Sequence, residues 1–366
     1  MSLFKQITLR FFGNKKSNPD FDFHRVSSVL IRPMGHAVGD TVAHIAYIRQ
    51  LKAIYPNCKI GIFVTERSRP IYEHCPLIDE FLEDSFSECI KQHKKWQVYL
   101  DFYETFNSQH IIKTALLAAD INIIFHKSDK KYYHIGNVKN YDFHCPPLSD
   151  RHMAAHLQTS VFAKFFTIPE PDVSLEPDSA ALNEVAPFWK DEAERKYRIL
   201  LAPQGSEATR QIPPSELVAL INRCNPADLQ DVRFVLCNTN NSETYFEQLQ
   251  ELCSDNISLL LSPKTSLHQY LALVASADLI VCVDSGTVHL ACAFKRPLLG
   301  FYANNPANIS KWHPLSYKGV PHMVVIADLP PPSKETHHFP LDNASDWLNN
   351  CIVSGIAAIK SASLRI

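Results

Sequence analysis

From Val26 onward, short runs of β-branched and aliphatic residues alternate with stretches whose apolar positions recur every three or four residues. VSSVLIR, from Val26 to Arg32, opens the series and stops at Pro33. Short apolar runs bounded by turn residues are the pattern of buried strands. After Gly39 and Asp40 come Val42, Ile45, Ile48, Leu51 and Ile54, three apart, which predicts a helix. KIGIFV (Lys59 to Val64), WQVYLDF (Trp96 to Phe102) and INIIF (Ile121 to Phe125) read as further strands. Strand and helix in alternation predict an α/β fold with a parallel sheet covered by helices.

The rhythm breaks at TIPEPDVSLEPD and the charged DEAERK that follows, so residues 171–196 read as a linker with a surface helix. It then restarts with YRILLA (Tyr197 to Ala202), VRFVLC (Val232 to Cys237), ISLLL (Ile257 to Leu261), LIVCV ending at Val283 and PLLGFY (Pro297 to Tyr302). Helical patterns lie between these strands, notably Ser266 to Ala277, and Asp342 to Ile359 reads as a closing helix capped by Asp342 or Ser345. The chain thus divides into an N-terminal extension (1–25), a first Rossmann-like domain (26–170), the linker, a second such domain (197–335) and a C-terminal helix (336–366).

Composition narrows the class. With 46% hydrophobic and 20% charged residues the 366-residue chain is not disordered, and a net charge of −2 offers nothing to nucleic acid. Its 10 glycines are well under the roughly 7% of average usage, so each one merits attention. The 10 cysteines include no C-x-x-C pair and suit a reducing cytosol, where they serve as small buried hydrophobes. No apolar run is long enough to span a membrane, and the N-terminus lacks the features of a secretory signal. Phe4, Ile7, Leu9, Phe11 and Phe12 there accompany Lys5, Arg10, Lys15 and Lys16, with no acid before Asp20. Such a stretch suits an anionic inner-membrane surface, and equally a helix packed on the body or a frayed end.

Ligands of open parallel sheets sit beyond the carboxyl ends of the strands, which directs attention to the loops after Arg32, Ala202 and Val283. In the first, Gly35 and Gly39 permit tight turns, His36 lies between them, and Asp40 starts the next helix. Asp40 is either an N-cap or a general base for an acceptor hydroxyl. The second loop carries Gly205, Ser206, Thr209 and Arg210 before a Pro-started helix, a set that can cradle phosphate. In the third, an apolar strand runs into Asp284, Ser285 and Gly286, and the N–H groups of Gly286, Thr287 and Val288 would favour a pyrophosphate. His289 there is a packed structural ring or a phosphate donor. The DFD at Asp20 to Asp22 and the pair His337-His338 lack metal-site spacing, so no metal is expected. No G-x-G-x-x-G, Walker A or G-x-S-x-G is present.

Taken together, VLIR…GDTV, LAPQGSEATRQIPP, SPKTSLHQYLALVASADLIVCVDSGTVHLACAFKRPLLGFY and NPAN with Trp312 and Pro314 resemble glycosyltransferase family nine, the ADP-heptose:lipopolysaccharide heptosyltransferases. The resemblance runs over almost the whole chain from Val26. It implies a GT-B architecture, two Rossmann-like domains facing a central cleft, with acceptor on the first, nucleotide-sugar on the second, and a last helix that often packs back on the first.

The resemblance also implies an inverting, metal-independent enzyme with no cofactor beyond its nucleotide-sugar donor, ADP-heptose, acting on a lipopolysaccharide core or related glycan. Asp40 falls on the family's catalytic aspartate and Arg210 on its phosphate-binding Lys/Arg position. Asp284, Ser285, Gly286, Thr287 and His289 fall on the donor-phosphate loop, and Glu243 on the acidic residue that holds the donor ribose. Ile212 stands where the family commonly has an aromatic, and Pro263 and Cys282 where glycine is common. The shared loops recognise diphosphate more than sugar. Another nucleotide-sugar, or a silent GT-B binding scaffold, therefore remains an alternative.

Overall fold

The strands of a parallel sheet covered on both faces have no wet side, so they read as continuous apolar runs. The computed structural model describes residues 3–147, 151–191, 195–239, 241–254 and 257–363 and bears this reading out. One sheet is built from β1 (Ser28–Arg32), β2 (Lys59–Val64), β3 (Glu80–Glu83), β4 (Val98–Asp101), β5 (Ile121–Phe125) and β6 (Phe143–Cys145). A second is built from β7 (Tyr197–Ala202), β8 (Val232–Leu236), β9 (Leu259–Leu261), β10 (Leu279–Val283), β11 (Leu298–Tyr302) and β12 (His322–Ile326). All pairings are parallel. The orders are β3-β2-β1-β4-β5-β6 and, read from its β9 edge, β9-β8-β7-β10-β11-β12. Both are the doubly wound order, whose direction of winding reverses between β1 and β4 and between β7 and β10.

Central strands β1, β4, β5, β10 and β11 are buried throughout. The strands the sequence pattern did not show are β3, β6 and β12, all at edges, short or only partly buried. An edge strand needs no continuous apolar run, which is why its signal is weak.

The chain separates into two compact units, 1–173 and 174–366. The segment expected to be a linker is folded into the second: a helix, Ser179–Val185, is followed by a short 3-10 turn ending at Trp189. Trp189 is fully buried and its indole N–H donates to Ser276 Oγ at 2.9 Å. Residues 192–194 of the charged DEAERK stretch lie outside the described residues.

The N-terminal extension contains a helix, Leu3–Phe12, seated on the first unit by Leu9 and Phe12 against Phe106, Ile111, Ile124, Tyr133 and Val138. The closing helix runs from Leu341 to Ser363, so Asp342 and Ser345 lie inside its first turn rather than capping it; Ser345 Oγ donates back to Leu341 O at 2.6 Å. Its buried residues Ala344, Leu348, Ile352 and Ile356 join the core of the second unit. There Gly355 lets the helix meet Tyr197, whose ring would lie 2.1 Å from a Cβ at that position.

Leu348 is fully buried in that core. Leu348→Ala should cost roughly 2–5 kcal/mol of stability, through lost burial plus the cavity left behind. Chemical denaturation would register it as a lower midpoint, and an unchanged midpoint would contradict this packing.

Candidate active site

Where β1 ends, the chain turns through Pro33, Met34 and Gly35 and enters a helix, Val38–Ile54. Ala37, not Asp40, occupies the N-cap position and makes no side-chain cap. Asp40 lies in the first turn and its carboxylate accepts the backbone N–H of Ala37, half of the reciprocal arrangement of a capping box. Burial pushes this carboxyl above its ordinary value, and nearby Glu104 pushes the same way. The Ala37 N–H, His36 and Arg67 oppose the rise without cancelling it. A carboxylate so placed holds a proton more readily than a free aspartate, as a general base requires. Gly35 makes room for it, since a Cβ there would fall 2.1 Å from Asp40 Oδ2. His36 is half-buried, with Nδ1 shielded and without a hydrogen-bond partner among the described residues, and burial lowers its pKa.

His44, one turn beyond Asp40, holds this loop in place. Its Nε2 accepts the Met34 N–H at 3.2 Å, so the proton rests on Nδ1 and is donated to Asp40 O at 2.6 Å. Burial takes the His44 pKa down to about 4, which keeps the ring neutral. Its edge meets Phe102, which stacks between Tyr47 and Phe125 at 4.4 and 4.1 Å. Beneath lies a buried ionic layer in which Arg32 Nη2 and Lys113 Nζ meet Asp84 at 2.8 and 3.0 Å, and Lys127 meets Asp101 at 2.8 Å. Burial works to raise the Asp84 pKa, but Arg32 and Lys113 hold it below the usual carboxylate range.

In the second unit, the loop after β7 is a closed hairpin. Gly205 N–H donates to Arg210 O at 2.7 Å and Ile212 N–H to Pro203 O at 2.9 Å. A Cβ at Gly205 would press on Arg210 Cβ at 2.8 Å, so only glycine allows the closure. Ser206 and Thr209 are exposed, and Arg210 Nη2 lies 3.2 Å from Glu207 Oε1. Ile212 is buried in the core.

Two further segments brace the hairpin. Ser242 Oγ, at the start of the helix Ser242–Leu252, donates to Gln204 Oε1 at 2.8 Å. Thr336 Oγ1 lies 3.0 Å from both Thr209 O and Gln211 O. Glu243 stands on that helix's first turn, exposed, 3.7 Å from Lys264 Nζ.

Beyond β10, Ser285 is the N-cap of the helix Gly286–Ala293, and its Oγ accepts the Thr287 N–H at 3.3 Å. The Val288 N–H is also engaged, with Ser285 O at 3.2 Å, so fewer N–H groups are open here than the three the sequence suggested. Asp284 is buried, and its Oδ2 accepts from Asn308 Nδ2 at 2.8 Å. Burial raises its pKa while Arg210 and Asn308 act against the rise, so the hairpin guanidinium and the Asp284 loop share one local field. Thr287 Oγ1 lies 2.6 Å from Tyr270 OH. His289 is buried against Trp312, and burial, with His313 adding to it, lowers its pKa to about 4. The ring is therefore neutral and offers at most one N–H.

The structure thus gathers Gly35, His36, Gly39 and Asp40 at one loop, and Gly205, Ser206, Thr209 and Arg210 with Asp284, Ser285, Gly286 and Thr287 at another pair. Glu243 stands apart, joined to the hairpin through its neighbour Ser242. Sequence reasoning missed Glu104, His44, Asn308 and Thr336. Glu104 follows β4, the strand across the switch point from β1, and was findable by that rule alone. Asp22 caps a short turn by accepting the His24 N–H at 2.9 Å. Among the described residues no group of three or more His, Cys, Asp or Glu is placed to hold a metal ion.

Comparison with known families gives a match over residues 104–330 to the family described as Glycosyltransferase family 9 (heptosyltransferase). The chain belongs to this family. It is a glycosyltransferase with the GT-B fold. It is 22% identical over 297 residues to a lipooligosaccharide heptosyltransferase 2 of Haemophilus influenzae, covering 77% of this chain and 84% of that one. It is likewise 22% identical over 289 residues to a lipopolysaccharide heptosyltransferase 1 of Campylobacter coli, covering 74% and 82%. Among solved structures, the E. coli ADP-heptose LPS heptosyltransferase II superposes with a TM-score of 0.67 at 18% identity, over 90% of this chain and 99% of that one.

Both His44 and His289 are neutral when folded, with pKa values near 4 against an ordinary 6.5. Between those values the unfolded chain binds protons that the folded chain refuses, so stability is full above about pH 6.5 and falls as the pH drops toward about 4. The loss should be on the order of 2 kcal/mol per ring near pH 5. Thermal melting across that range would check it, and His44→Gln should flatten the dependence.

Proposed function

We propose that this glycosyltransferase moves heptose from ADP-heptose to a lipopolysaccharide inner-core or related glycan acceptor, with inversion and without a metal ion. What carries the reading is that a member of the heptosyltransferase family holds both a half-buried carboxylate of raised pKa at Asp40 in its first unit and, in its second, the Arg210 hairpin beside the Ser285-capped helix. The relatives' own names support heptose as the sugar, and the name of the E. coli structure supports ADP-heptose as its carrier.

In the proposed step Asp40 takes the proton of an acceptor hydroxyl held on the first unit. The freed oxygen forms its bond to the anomeric carbon from the face opposite the nucleotide, and the bond from that carbon to the diphosphate oxygen breaks. The electron pair leaves with ADP. Negative charge gathering on the diphosphate would meet Arg210, the Ser206 and Thr209 hydroxyls and the positive end of the helix Gly286–Ala293. These groups supply the stabilisation that a divalent cation gives elsewhere.

Asp40→Ala should abolish turnover of ADP-heptose on truncated lipopolysaccharide while leaving ADP affinity near normal; unchanged turnover would remove Asp40 as the base. For the intact enzyme, kcat/KM should fall as the pH drops through the raised Asp40 value, at a higher pH than a free aspartate would give, because the base is then protonated. Arg210→Ala should weaken ADP binding by about 1.5–3 kcal/mol, the range for a charge-assisted bond. Titration calorimetry with ADP, UDP, GDP and CMP measures this, and tight binding of UDP or GDP alone would exclude the heptose reading.

A further inference from the structure

The helix Leu3–Phe12 uses only one face to hold the body. Thr8, Leu9 and Phe12 turn inward, and its end is fixed by Lys139 N–H on Gly13 O at 2.6 Å and Asn140 Nδ2 on Phe12 O at 3.2 Å. The opposite face leaves Leu3, Phe4, Ile7 and Phe11 exposed by 73, 59, 41 and 68%. Their spacing places them on a single stripe along a helix roughly 15 Å long. Four large apolar side chains held in water by a well-anchored helix mark an interaction surface.

The charges around the stripe say what covers it. No acidic residue occurs before Asp20. Lys5 and Lys131 both lie over the Tyr132 ring, at 3.9 and 5.5 Å. At the other end, Phe11 forms the rim of a cleft of about 690 Å³ lined by Lys15, Lys16, Lys94, Asn18 and Asn140. Lys15 is occupied, with Nζ at 2.7 Å from Asp142 Oδ2 and 2.6 Å from Asp120 O. Lys16 and Lys94 are exposed, and Asp120 is the single acidic residue of the lining. A second copy of this chain would set lysine against lysine across the stripe. An anionic lipid surface answers both the apolar stripe and its basic border.

We propose that Leu3, Phe4, Ile7 and Phe11 form a docking face for an anionic phospholipid bilayer, and that the Lys16–Lys94 cleft takes a lipid phosphate at its edge. The helix lies in the plane of the interface with its apolar stripe in the acyl boundary. Among the described residues no helix is long and apolar enough to cross a membrane. The proposal does not depend on the sugar donor or on Asp40.

The test is co-sedimentation of the full chain with vesicles of phosphatidylcholine mixed with phosphatidylglycerol, and of phosphatidylcholine alone, in the absence of lipopolysaccharide and nucleotide. Binding is expected to the anionic vesicles only and to weaken with salt. Phe4→Asp with Phe11→Asp should reduce partitioning at least about tenfold, and Lys16→Glu with Lys94→Glu by about tenfold. Phe11→Trp, which keeps the apolar stripe, should show a blue shift in emission on anionic vesicles and none on neutral ones. The proposal is overturned if the unaltered chain stays in solution with anionic vesicles, or if it binds both lipids alike and regardless of salt. It is also overturned if sedimentation velocity shows a dimer that the aspartate pair dissolves, which would assign the stripe to a second copy. Unchanged thermal melting of each variant establishes that the readout concerns the surface.

Discussion

A parallel sheet buried on both faces confines polar chemistry to its strand ends. Every residue along β1, β4 and β10 is buried, and the two charged ones, Arg32 and Asp101, stand at the carboxyl ends of β1 and β4. The positions left for a charged ligand are the loops at the carboxyl ends, and the rule for such sheets singles out those flanking the reversal of winding. The candidate ligand-facing groups, apart from Glu243, sit on the segments that follow β1, β7 and β10, and Glu104 follows β4, whereas Ser242, Asn308 and Thr336, which brace them, come from other segments. Asn308 is drawn in because it partners buried Asp284, which otherwise would lack a donor for Oδ2.

That confinement makes the first turn after β1 unusually demanding. Asp40 is buried enough for its carboxyl to lose hydration, yet its own helix supplies a donor at Ala37. Gly35 gives it space and His44 ties its carbonyl to Met34. The aromatic stack of Tyr47, Phe102 and Phe125 then makes His44 a fixed neutral post rather than a titrating one. In the ionic layer beneath, Arg32, Lys113 and Lys127 outnumber Asp84 and Asp101 by one positive charge, and each of the three cations is paired with a carboxylate.

The central strands were legible because their burial forces an apolar run, and the site loops because each begins where such a run stops, at Pro33, Pro203 and Asp284. The edge strands β3, β6 and β12 carry polar or half-exposed residues and leave no comparable mark. Caps were misassigned for a local reason. A helix start is chosen by backbone geometry: Ala37 holds the N-cap position while Asp40 lies within the first turn, and the closing helix begins at Leu341, ahead of Asp342 and Ser345. Asn308 and Thr336, which brace the site, act across distances in sequence that no spacing rule connects, whereas His44 stands one helical turn from Asp40. Segment 171–196 looked like a linker because Pro and charge dominate it, whereas Ala181 and Val185, packed with Ala272, and buried Trp189 hold it in the second unit.

The single hydroxyl of Thr336 spans two carbonyls of the 203–212 hairpin, while Ser242 fixes the hairpin's other side through Gln204. Glu216, just behind it, receives the backbone N–H groups of His338 and Phe339. The hairpin is therefore not a module that can be exchanged by itself. Anyone grafting a foreign loop here to change the accepted nucleotide would have to transplant the strap from Ser333 to Phe339 with it, and keep that strap's length while varying its composition.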